Sequence, residues 1–136
     1  MTKRFQAVTP ASGWHPRLTY SAATRAGDLI FLSGMTAGDE KGQIVGEGDM
    51  ERQTEYIFEK MARVLEAAGC TLANVVETTD YVTTFEDYEK TAAVRRRVFG
   101  EPPYPASSGV MVAGLIRKGA LIEISAVAVA NHAGQG

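Results

Sequence analysis

One cysteine, one tryptophan and two histidines are all that this 136-residue chain carries of the side chains that most often staple, stack or ligate. A lone Cys70 excludes an intrachain disulfide, and with it the small secreted scaffolds that depend on one. His15 in GWHP and His132 near the tail have no i, i+4 partner and no cysteine or carboxylate cluster around them, so the spacing of a metal site is missing. Charge of one sign is missing too: 14 basic against 16 acidic residues give a net charge of −2, no footprint for nucleic acid or an anionic membrane. No apolar run approaches the roughly 18 residues of a membrane helix, and the start MTKRFQAV lacks the apolar stretch of a signal peptide. GDEKG and GEGD are rich in turn residues but form no phosphate-binding loop between a strand and a helix. The expectation is then one cytoplasmic domain over residues 1–136, with a loose tail from 131 to 136. Its expected partner is a small molecule or another copy of itself.

What is present reads as strands around two helices. Residues 18–24 (LTYSAAT) and 28–33 (DLIFLS) are rich in aliphatic, aromatic and β-branched residues, and are expected to pair through a turn at Arg25-Ala26-Gly27. Asp49 is a suitable N-cap for a helix to Ala68, because Ile57, Met61, Val64, Leu65 and Ala68 recur at helical spacing and Gly69 suits the position after its end. NVVETTDYVTTF (74–85) reads as a strand with Val76, Thr78, Asp80 and Val82 on one face. Thr84 with Asp87 resembles a capping box for a second helix ending at Phe99 and Gly100. Strands at 106–113 and 120–130 close the chain, and the last alternates Leu121, Glu123, Ser125, Val127 and Val129 against Ile122, Ile124, Ala126 and Ala128. The order ββαβαββ implies an α+β fold with two helices on one face of a mixed sheet. The other face, bearing Val127 and Val129, is then an apolar patch that association would cover. A homo-oligomer with ligand clefts between subunits follows.

YSAATRAGDLIFLSG, followed by VLEAAG, VVETTDYV, PASSGV and ALIEISAVAVA, resembles the Rid (YjgF/UK) family of reactive-intermediate deaminases from about Tyr20 to Ala130. The resemblance implies a chorismate-mutase-like α+β fold and a homotrimer with sites between neighbouring subunits. It also implies hydrolysis of enamines and imines to a carbonyl compound and ammonia, without metal or organic cofactor. The family tyrosine and Ser-Gly correspond to Tyr20, Ser33 and Gly34, and its glutamate to Glu123. The family arginine that grips a substrate carboxylate corresponds to Ser107 in PPYPASSGVMVAG (102–114), the cysteine two residues on to Gly109, and the helix asparagine to Ala92.

A serine hydroxyl offers one neutral donor where a guanidinium offers a charged planar fork. Simple 2-imino acids are therefore poor expected substrates. A ligand that bonds to the hydroxyls and amides of Ser107, Ser108 and Gly109, or whose carboxylate is held elsewhere, fits better, and aminomuconate-type intermediates are one alternative. Glu123, the only carboxylate on either closing strand, is the candidate acid/base, with Tyr20 to orient ligand or water and Ser33 to donate to a ligand oxygen. Arg95 falls on the apolar side of its helix with Tyr88, Ala92 and Phe99, so it must meet an acid, an interface or a ligand; Arg17 is the other candidate clamp. Two functional readings follow: a cofactor-free enamine/imine deaminase with altered recognition, or a non-catalytic trimer that binds or protects a small molecule in the same cleft.

Overall fold

A computed structural model describes residues 2–131, so His132 and nearly all of the expected tail lie outside the described residues. Six strands form one sheet in the order β1-β2-β3-β6-β4-β5: β1 Gln6–Val8, β2 Ala23–Ala26, β3 Leu29–Met35, β4 Val75–Val82, β5 Ala106–Met111 and β6 Ile122–Val129. Every pairing is antiparallel except β4 with β5, which makes the sheet mixed as expected. Two helices, α1 Met50–Ala67 and α2 Thr91–Phe99, complete the domain.

The helix α1 forms where its apolar spacing requires. Asp49 accepts the Arg52 amide at 3.0 Å as N-cap, and Gly69 takes a positive φ of 73° just past the last turn. Its buried side chains Ile57, Phe58, Met61, Val64 and Leu65 meet Ile122, Ile124, Ala126 and Ala128 of β6 in one core. The alternation of β6 is as read: these four are buried, while Glu123, Ser125, Val127 and Val129 are half-buried on the face without helices.

Several boundaries depart from expectation, each for a local reason. The first strand, β1, is three residues long on the sheet edge, too short for any alternation to show. Strand β2 starts at Ala23 rather than 18: the Ala22 carbonyl still takes the Ser33 amide at 3.0 Å, but the Tyr20 carbonyl accepts Trp14 Nε1 at 2.7 Å. Arg25 and Ala26 belong to the strand, and the turn is Gly27-Asp28 between Ala26 and its partner Leu29. In β4 a register shift between Val75 and Glu77 turns Val76 outward, so Val75, Thr78, Asp80 and Val82 form the buried set. Thr84 does not cap a helix: its hydroxyl accepts the Glu86 amide at 3.0 Å, Asp87 adopts φ 62° without capping, and a 3-10 turn at Tyr88–Lys90 precedes α2.

Gln53, fully buried on α1, ties two loops to the core. Its Nε2 donates to the carbonyls of Gly46 at 3.1 Å and Gly119 at 3.2 Å, and its Oε1 accepts the Leu121 amide at 2.9 Å. Gln53→Leu keeps the volume and orphans all three groups. We expect a loss of about 1–3 kcal/mol for each buried group left dry, read as a lower urea midpoint with an unchanged slope.

Candidate functional site

Thr24 and Phe31 pair across β2 and β3, and Phe31 pairs with Val127 of β6, so all three lie on the open face with Glu123. A groove of about 350 Å³ opens there, lined by Phe5, Thr19, Tyr20, Ser21, Thr24, Phe31, Leu32 and Ser33. Tyr20 is 54% exposed and meets Trp14 edge to face at 5.8 Å between ring centroids. Ser33 donates its hydroxyl proton to the Ser21 carbonyl at 2.7 Å. In this arrangement its oxygen is left as an acceptor toward a ligand.

Gly34, the next residue, explains where Glu123 sits. A Cβ at this position would overlap Glu123 Oε2 and come within 2.9 Å of its carboxyl carbon. Gly34 has no positive φ, so glycine is needed here for room and not for backbone freedom. The carboxylate thus rests on the bare backbone where β3 shifts register between Leu32 and Met35. Among the described residues the Glu123 side chain makes no hydrogen bond or ion pair, although the residue is half-buried. A carboxylate so placed has both oxygens available to a ligand or water.

The β5 residues stand apart from this groove within one chain. Three strand spacings, about 14 Å, separate β5 from β3. By register Ser107 and Gly109 align with Thr78 and Asp80, on the helix side, whereas Ser108 aligns with Thr79 on the open face. All of β5 is exposed. The space a side chain at Gly109 would need is taken by the Tyr88 hydroxyl, which lies 2.5 Å from where a Cβ would be.

Arg95 does meet an acid, as its place on the helix predicted, but on the face away from Glu123. Its Nη2 donates to Thr78 Oγ1 at 2.9 Å, its Nη1 lies 3.9 Å from Asp80 Oδ1, and the guanidinium sits over the rings of Phe58 and Phe99. Tyr88 donates to Asp80 Oδ2 at 2.7 Å. Burial pushes the Asp80 carboxyl up, opposed by the Tyr88 hydrogen bond and the Arg95 charge, and burial together with Asp80 pushes the Tyr88 hydroxyl up to about 12. Arg95 is thus committed inside the chain rather than free as a clamp. Arg17 is exposed, donates its amide to His15 Nδ1 at 3.0 Å, and is not among the residues lining the groove.

Sequence reasoning missed Phe5 and Phe31 as groove residues, Trp14 as the residue that holds Tyr20, and the Asp80–Tyr88 hydrogen bond. The Asp80–Arg95 ion pair had a signal: Asp80 alternates with Val82, and Arg95 lies on an apolar helix face, so each needed an opposite charge. Among the described residues no group of three or more His, Cys, Asp or Glu side chains is placed to hold a metal ion. No helix there is long and apolar enough to cross a membrane.

The model of the family described as endoribonuclease L-PSP matches residues 12–130. The chain belongs to this family, also called YjgF, Rid or RutC. A RutC family protein of Escherichia coli, YjgH, is 37% identical over 97 residues, 71% of this chain and 72% of its own length. A protein of Acinetobacter baylyi named 3-aminoacrylate deaminase RutC is 32% identical over 121 residues, 89% of this chain and 94% of its own. The crystal structure of the Rid-family protein YyfA from Yersinia pestis superposes with a TM-score of 0.81 at 27% identity, covering 92% of this chain and 98% of that one. The L-PSP fold assignment therefore agrees at the level of sequence and of topology.

Proposed function

We propose that this protein is a cofactor-free hydrolytic deaminase of a reactive enamine or imine, with recognition shifted away from 2-imino acids. Membership in the RutC family supports the general deaminase role. The observation that carries the reading is Glu123, a half-buried carboxylate without a partner among the described residues, seated on Gly34 at the open face. Hydrolysis of an imine by one water to a carbonyl compound and ammonia needs a proton on nitrogen, a deprotonated attacking water and a second proton for the leaving amine. One carboxyl group performs all three in turn: it protonates the imine, takes a proton from water as the C–O bond forms, and returns it to nitrogen. As the C–N bond breaks and the carbonyl forms, the hydroxyl proton of the adduct goes back to the carboxylate, and ammonia leaves. Tyr20, on the groove wall, orients ligand or water. Cys70, buried as a free thiol, suits a reducing compartment such as the cytoplasm.

We place the working site in a homotrimer. Ser107, Ser108 and Gly109 lie about 14 Å from the groove in one chain, and a neighbouring copy is the economical way to bring such an edge to it. Leu29 and Phe31, 43% and 44% exposed on the open face, supply apolar surface for the contact. Light scattering should give three times the 14.6 kDa chain mass; a monomer at micromolar concentration would remove the intersubunit site.

Ser107 in the arginine position also suits a second reading, a non-catalytic binding or protective trimer. Ammonia release from a panel of freshly generated enamines and imines separates the two. Release above the buffer rate supports the deaminase, and none from a folded trimer supports the binder.

A further inference from the structure

We infer that the groove beside Glu123 selects an uncharged imine bearing an aromatic or bulky apolar substituent, and that Trp14 is a positioning residue for that selection. This deepens the deaminase reading and rests on it for the reacting group.

The lining carries the argument. Phe5, Tyr20, Phe31 and Leu32 supply apolar and aromatic surface, Thr19, Ser21, Thr24 and Ser33 supply hydroxyls, and no residue of the wall is charged. Arg4 and Arg25 flank lining residues in sequence, yet neither lines the groove, and Arg25 Nε is spent on the Gly27 carbonyl at 3.0 Å. The charged side chain seated on Gly34, one residue beyond Ser33, is a carboxylate, which would repel a second one. Ser33 accepts rather than donates, because its proton is held by Ser21, so it suits an N–H of an imine or enamine and not a carboxylate oxygen. A volume of about 350 Å³ is several times that of a three-carbon imine. On the wall that this chain itself supplies, a carboxylate would enter at a cost with no cation to offset it.

Trp14 acts through Tyr20. Its indole N–H holds the Tyr20 carbonyl at 2.7 Å, and its ring meets the Tyr20 ring edge to face. The aromatic wall therefore stands on a contact between residues six apart in an otherwise irregular segment.

The test is an equilibrium titration of the whole protein with four stable carbonyl probes: acetone, phenylacetone, pyruvate and phenylpyruvate. Trp14 is the only tryptophan, so its emission reports occupancy, and ligand-observed NMR covers variants that lack it. Phenylacetone should bind about tenfold or more tighter than acetone, and phenylpyruvate no tighter than phenylacetone. Trp14→Ala should shrink the phenylacetone-to-acetone ratio severalfold while acetone binding holds, and Trp14→Phe, which keeps a ring, should restore part of it. A purely structural role would weaken both probes alike and leave the ratio unchanged, overturning the role given to Trp14. Tighter binding of either oxo acid than of its neutral counterpart, or no response to any probe because a neighbouring copy fills the groove, overturns the substrate class. Phenylacetone binding without ammonia release from its imine would sink the deaminase reading and leave this inference standing. Faster release from 2-iminopropanoate than from the neutral aromatic imine would do the reverse.

Discussion

Glu123→Gln should lower ammonia release by about 10²-fold or more while the protein melts and assembles as before. Glutamine fills the same seat on Gly34 and keeps two polar atoms, but it has no acidic proton to transfer and is too weak a base to take one from water. Binding of a stable carbonyl product should change much less than turnover, since water activation matters most in the transition state. Gly34→Ala tests the seat from the other side. A methyl there would overlap the Glu123 carboxyl group, a flexible side-chain end that can swing off the strand, so the fold survives and the acid is displaced. Both variants should therefore be folded and slow. Full activity in a folded Gln variant would eliminate Glu123 as the acid/base. Loss of activity together with loss of assembly would show that the residue serves the interface, and the mechanism would need another proton carrier.

Much of the architecture could be read from residue spacing because it depends on long periodic segments. In α1, Asp49, the Ile57–Leu65 apolar stripe and Gly69 all state the same helix, and in β6 eight residues alternate without interruption. Legibility failed where local chemistry overrode pattern. Trp14 holds the Tyr20 carbonyl ahead of β2, and a single register shift reverses Val75 and Val76. The geometry of the candidate site was half legible for a related reason. Glu123, Gly34, Ser33 and Tyr20 were recognisable from their order along the chain, but the fit of Gly34 beneath a carboxylate and the aromatic wall built on Trp14 are contacts between distant residues. The face of β5 on which Ser107 falls depends on its parallel register with β4, which no spacing within β5 reveals.

Arg95→Met should cost about 3–5 kcal/mol of stability. Asp80 has 2% of its side chain exposed and Arg95 15%, and Oδ1 and Nη1 have no hydrogen-bond partner apart from their mutual ion pair at 3.9 Å. Removing the cation leaves a carboxylate in the core with only the Tyr88 hydroxyl to stabilise it. The sign with pH follows. Asp80 titrates above its ordinary value in the folded protein, so its ionisation costs stability as pH rises, and losing Arg95 pushes that titration higher still. The deficit of Arg95→Met should be full at neutral pH and shrink as pH falls through the folded value toward the ordinary carboxylate range, where the neutral acid needs no cation. Replacing the whole network tests whether the pair stabilises or only requires its own completion. Asp80→Val with Arg95→Met and Tyr88→Phe buries apolar groups of similar size, and urea unfolding should return it to within about 1 kcal/mol of the parent. A triple variant as weak as Arg95→Met alone would mean that the network itself holds α2 against β4, and that its cost in desolvation is more than recovered.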